Sequence, residues 1–182
     1  MNRFNIFQQI HKGLKAQLYQ TALHLQQTDF SLEQELGAAL DKVQEIVLLF
    51  DEHADREDTY ILPLVFEYEP AIWSAFEREH KIDIAVIKEL MAVMNLLSRP
   101  LSEHERMIAG KRLVKCFSAF MGFHLEQMDK EEAVLNEVLW RYYSDENLFG
   151  IQAEMIRNTT PRNSAVLYQW MTKSNYFMQM AS

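Results

Sequence analysis

The chain has 182 residues, enough for one domain with a helical extension, and chains of this size bury about 70% of their unfolded surface. Eighteen Lys and Arg against 26 Asp and Glu give a formal charge of −8, and no basic stripe offsets it, which argues against a nucleic-acid binder. Five Gly and four Pro leave little turn material, and the single Cys116 forms no internal disulfide, so long helices are expected and an oxidising compartment is not required.

Helix one is expected from about Phe4 to Gln26. Its seam reads Phe7, His11, Leu14, Leu18, Thr21 and Leu25, a spacing of three and four that marks one helical face. The first seventeen residues lack the apolar run of a signal peptide, and no stretch of 18 apolar residues suggests a membrane span, so the chain reads as cytoplasmic. Residues 27–30 form a connector. Ser31 with Gln34 has the spacing of a capping box that would open helix two. That helix carries Leu36, Ala39, Val43, Ile46, Phe50, His53, Glu57, Tyr60 and Leu64 on one seam, and Pro63 should kink or end it.

Pro70 suits the first turn of helix three, which runs to about Leu97 on Trp73, Phe76, His80, Ile84, Ile87, Met91 and Met94. Pro100 breaks the chain, and Ser102 with Glu105 suggests a second capping box. Helix four is expected from about Glu103 to Tyr143, on Met107, Gly110, Val114, Phe117, Met121, His124, Met128, Glu131, Leu135 and Val138. Beyond it, 145–158 and 164–178 read as shorter helices around residues 159–161. The expected architecture is all-α: an up-down-up-down four-helix bundle over residues 1–143 with a short C-terminal helical extension over 144–182. Met171, Phe177, Met178 and Met180 make the extension apolar, so it should pack on the bundle or on a second subunit, as in a homodimer.

The chemistry lies in the polar members of these seams. His11, His53, Glu57, His80, His124 and Glu131 each stand on the apolar face of their own helix, and every bundle helix supplies at least one. An unpartnered buried polar group costs several kcal/mol, so such a set must close a hydrogen-bonded network or hold a cation. His53 and Glu57 are four residues apart and stack on one helix face. Imidazole with carboxylate suits iron, manganese or zinc, whereas calcium and magnesium favour all-oxygen shells. His24 and His104 fall off the seams or near helix ends and are expected to be solvated, and Cys116 to pack as a small apolar residue.

These residues resemble a known family. The segment His53-Ala-Asp-Arg-Glu57-Asp-Thr-Tyr-Ile-Leu-Pro63 is similar to the helix-two signature of hemerythrin-like proteins, the HHE cation-binding domains. His11 in Ile-His-Lys-Gly-Leu stands where that family places its first ligand, and His80 in Glu-Arg-Glu-His-Lys matches its helix-three histidine. Gln127 and Glu131 resemble the family's second His-to-Glu pair, with glutamine in place of histidine. His124, one turn earlier, is an alternative ligand to Gln127, and a further alignment pairs His124 with Asp129.

The resemblance implies a non-haem site, expected to hold two irons, with an open position for oxygen, nitric oxide or peroxide, and a role in diatomic-gas binding, iron storage or sensing. The ligand set it implies is His11, His53, Glu57, His80 and Glu131, completed by His124 or Gln127. Two other classes stay open: a di-iron enzyme that reduces peroxide or oxygen, for which no substrate pocket is designated, and a metal-free interaction module with a buried His/Glu network.

Overall fold

The computed structural model describes residues 3–158, apart from the side chains of residues 80, 81 and 83. Among the described residues every regular element is a helix: α1 (Gln8–Gln27), α2 (Glu33–Arg56), a π turn (Glu57–Ile61), α3 (Leu62–Tyr68), α4 (Pro70–Leu97), α5 (Glu103–Lys130), a second π turn (Glu131–Leu135), α6 (Asn136–Tyr142) and α7 (Asp145–Arg157). No helix among them is long and apolar enough to cross a membrane. The expected helix over 164–178, with its apolar Met and Phe residues, lies outside the described residues.

Several boundaries differ from the sequence reading for identifiable reasons. Helix α1 starts at Gln8 rather than near Phe4, because the Asn5 side chain accepts from the amides of Phe7 and Gln8, both at 3.0 Å, and so fixes the first turn. Ser31 does not cap α2. Its hydroxyl donates to Asp29 at 2.7 Å, and the amide of Asp29 is taken by the Glu35 carboxylate. The box at Ser102 is present: the Ser102 amide donates to Glu105 at 2.8 Å and the Glu105 amide to the Ser102 hydroxyl at 3.4 Å. Pro63 neither ends nor breaks its helix. The π turn before it widens the backbone, the Leu62 amide reaches back to the Glu57 carbonyl, and Pro63 enters α3 near its first position, where its missing donor costs little.

Two compact units divide the chain. Among the described residues, the first comprises 3–16, 52–73 and 127–158, and the second 17–51 and 74–126. The second unit has an apolar core of Leu36, Val43, Phe50, Leu90, Leu113, Phe117 and Phe120, with Cys116 also buried in this unit. Gly110 is required there: a Cβ at that position would stand 2.2 Å from Cγ of Phe30, so the ring lies directly on the backbone of α5. Ile84 and Met107, expected on seams, are exposed at 51% and 42%.

The first unit is more polar inside. Ile6, Phe7, Ile61, Leu62, Val65, Leu135, Leu139 and Leu148 are buried there together with His11, Glu57, Glu131 and Gln152. Its N-terminal segment is tied down before α1 begins. Trp140 donates its indole N–H to the carbonyl of Phe4 at 2.7 Å, Gln152 donates to the carbonyl of Ile6 at 2.7 Å, and Arg3 pairs with Asp145 at 2.7 Å. Helix α7 is opened by a capping box between Ser144 and Asn147 and buries Leu148 and Met155 in this unit. These ties fix the first turns of α1, and with them the position of His11.

Candidate metal centre

Three stretches of the first unit converge on one buried cluster. α1 supplies His11, α2 supplies His53 in its last turn, and the two π turns supply Glu57 and Glu131 as their first residues. His11 is 0% exposed, Glu57 3% and Glu131 2%. His11 Nε2 lies 3.4 Å from Glu131 Oε2 and 3.8 Å from Glu57 Oε1, and His53 Nε2 lies 3.4 Å from the same Glu57 oxygen. The two imidazoles meet edge to face, with ring centroids 5.2 Å apart at 88°. One donor atom from each of the four residues falls within 4.8 Å of all the others.

Burial sets the electrostatics. Loss of water pushes the Glu57 carboxyl well above its ordinary range, and the neighbouring Glu131 charge pushes it further. Loss of water lowers the pKa of His11, partly offset by its contact with Glu132. Neither His11 Nε2 nor Glu57 Oε1 has a hydrogen-bond partner, although both are shielded from water. Such atoms are rare in folded interiors and call for a specific explanation.

A cation fits these residues. Ligand distances of about 2.0–2.2 Å in a tetrahedral shell place donor atoms about 3.4 Å apart, too long for good hydrogen bonds, and two of the separations here are 3.4 Å with a third at 3.8 Å. A positive ion would neutralise two adjacent buried carboxylates and engage the orphaned nitrogen and oxygen together. Two imidazoles with two carboxylates form a mixed nitrogen and oxygen set of the kind borderline transition metals accept. The four residues could therefore hold a metal ion.

The other residues singled out in the sequence stand as follows. His80 lies on α4, and its side chain is not among those described. His124 is buried in the second unit, its ring against Phe50 (centroids 4.3 Å) and Phe120 (4.2 Å), and it is not one of the four. Gln127 is buried on α5, one turn before Glu131. Asp129 faces outward and takes an ion pair from Lys15 at 2.7 Å, its side chain 74% exposed. His104 is exposed as expected, but His24 is not fully solvated: it is half-buried and its Nε2 is shielded from water.

Sequence reasoning missed three features of this region. The seam spacing runs through both π turns as if they were continuous α-helix. Glu132 went unremarked, although its Oε1 lies 3.0 Å from His11 Nδ1 and 3.1 Å from Lys15 Nζ. Its signal was the second of two adjacent glutamates, with Lys15 four residues after His11 on the partner helix. No protein-family model matches the chain, and no curated protein matches it. The case for a metal centre therefore rests on the chain's own four convergent donors.

Proposed function

We propose that the chain is a non-haem iron protein resembling the hemerythrin-like proteins, with a centre held by His11, His53, Glu57 and Glu131 in an up-down-up-down four-helix bundle. The observation that carries this reading is the set of four buried donor atoms within 4.8 Å, two of them, on His11 and Glu57, lacking any hydrogen-bond partner. His11 and His53 would give neutral nitrogen donors, and Glu57 and Glu131 the negative charge that balances the ion. A second ion, expected from the resemblance, would draw on the same two carboxylates, Glu57 and Glu131, for its negative charge. Iron, if held there, would supply the chemistry that binds a small diatomic ligand such as oxygen or nitric oxide, by expanding its shell beyond the four protein donors. The chain's own part is to fix the donors, exclude water with Phe7, Ile61 and Leu135 nearby in the same core, and keep the carboxylates close enough to need the ion.

The test is metal analysis of protein prepared without chelator, followed by anaerobic reconstitution with ferrous iron. The reading expects between about one and two equivalents per chain. A metal content near zero with the helical fold intact would overturn it and leave a buried His/Glu network that holds protons instead.

A further inference from the structure

His11 meets different partners through its two ring nitrogens. Nε2 faces the cluster, and Nδ1 lies 3.0 Å from Glu132 Oε1. An ionised carboxylate only accepts hydrogen bonds, so this contact needs the proton on Nδ1. A neutral imidazole carries one such proton, and Nε2 is then left with its lone pair toward Glu57 and Glu131. The opposite tautomer would place an N–H at Nε2, donate it to one of the two carboxylates, and close the cluster as a metal-free network. Only the Nδ1–H tautomer turns a lone pair toward the cluster, where it can take a cation or, without one, a proton shared with Glu57; the opposite tautomer cannot ligate through Nε2.

Glu132 is equipped to impose that choice. Lys15, one turn beyond His11 on α1, donates to the same Glu132 oxygen at 3.1 Å and to Asp129 at 2.7 Å. The ammonium favours the ionised form of Glu132 and keeps its oxygen at the ring edge. Glu132 is 27% exposed, so it sits at the rim of the buried set and its charge is partly solvated. It is also adjacent to Glu131, so the second π turn presents one carboxylate to the cluster and the next to the back of His11.

We propose that Glu132, steadied by Lys15, is the positioning residue of the centre: it accepts the Nδ1 proton of His11, fixes that tautomer and ring orientation, and delivers the Nε2 lone pair to the cluster. The consequence for metal affinity rests on the iron reading above, whereas the tautomer does not. Partners of this kind on the far nitrogen of a ligating histidine are worth about 10–100-fold in affinity.

The test uses the full chain, labelled with 15N, and reads the histidine tautomers by NMR in the metal-free protein at mildly alkaline pH. In parallel, ferrous iron affinity is measured by anaerobic titration. The parent should show His11 protonated on Nδ1. Glu132→Ala should move the proton to Nε2 and weaken iron binding by about 10–100-fold. Glu132→Gln, whose amide oxygen still accepts, should keep the Nδ1 tautomer and most of the affinity. Lys15→Ala should fall between the two, and it carries the test with Glu132→Gln if Glu132→Ala does not fold. A parent protonated on Nε2, or a folded Glu132→Ala with unchanged tautomer and affinity, would overturn the proposal. A tautomer switch in a protein that takes no iron would sustain the positioning role and defeat the metal reading.

Discussion

From Glu52 to Tyr68 and from Gln127 to Tyr142 the first unit runs through the same order of elements: the end of a long α-helix, a five-residue π turn that starts on a buried glutamate, and a seven-residue α-helix that ends in tyrosine. The two ends meet, with Tyr68 and Tyr142 stacked at 4.1 Å and Glu69 accepting from Arg141 at 2.7 Å. The arms differ in two respects. His53 stands four residues before Glu57, where the other arm has Gln127 before Glu131, and only the first arm follows its π turn with a proline. Since the second arm makes the same turn without one, Pro63 is accommodated by the π turn and is not required to produce it.

What the arms share explains the turn better. The residue five places after each glutamate, Leu62 or Asn136, is buried with it, and so is the one three further on, Val65 or Leu139. In a regular α-helix a residue five places on lies about 140° around the axis, so the extra residue of the π turn keeps both on the core side. Each arm can then bury its glutamate without giving up the apolar seam that follows.

The largest effects should separate the donors of the two arms. His53→Ala and Glu57→Ala should each lower iron affinity on the order of 100-fold or more, measured by anaerobic titration, with helical content unchanged. Gln127→Ala should cost far less. A loss at His53 as small as that expected at Gln127 would mean that the assignment on α2 is wrong, and a loss at Gln127 as large as that at His53 would make the arms chemically equivalent.

Gln127→His makes the second arm match the first, and imidazole is the stronger ligand for iron or zinc. The variant should bind iron about 10-fold more tightly or take up a further fraction of an equivalent. An unchanged isotherm would place Gln127 outside the centre.

A smaller effect concerns the metal-free protein. Glu57 has its folded pKa raised above the unfolded value, so its stabilising contribution is complete below the ordinary carboxylate range and is lost as pH rises through the folded value. His11, lowered by burial, contributes stability above the ordinary histidine range and loses it as pH falls. Urea unfolding of the metal-free parent against Glu57→Gln isolates the first effect. The variant should gain on the parent as pH rises from acid toward neutral, and iron should abolish the gain. A difference independent of pH would show that Glu57 is already ionised in the metal-free fold.

The smallest effect is expected at Pro63. Pro63→Ala should change stability by no more than about 1 kcal/mol and leave iron affinity alone, because the turn does not depend on the ring. A large loss of stability in denaturant unfolding would return the proline to the centre of the account.

Much of this was legible from the seams. His11, Leu14, Leu18, Thr21 and Leu25 of α1 are buried as their spacing requires, and four of the polar seam residues, His11, His53, Glu57 and Glu131, converge. The rest failed where the period failed. A strict 3.6 spacing places Tyr60 and Leu64 on the α2 seam, whereas Ile61, Leu62 and Val65 are the buried residues, a shift that the inserted π residue produces. No residue type announces a π turn in advance, so the slip was not visible. Glu132 escaped for a different reason: a charged residue off the seam reads as solvated, and only the approach of α1 turns it toward the back of His11.

The central claim is that one cation binds among His11, His53, Glu57 and Glu131. The most direct measurement is anomalous diffraction from crystals of the full chain loaded anaerobically with ferrous iron. An anomalous peak is expected about 2.0–2.2 Å from His11 Nε2, His53 Nε2 and an oxygen of each glutamate. A saturated crystal with no peak among these four side chains, or with its iron bound elsewhere, would contradict it.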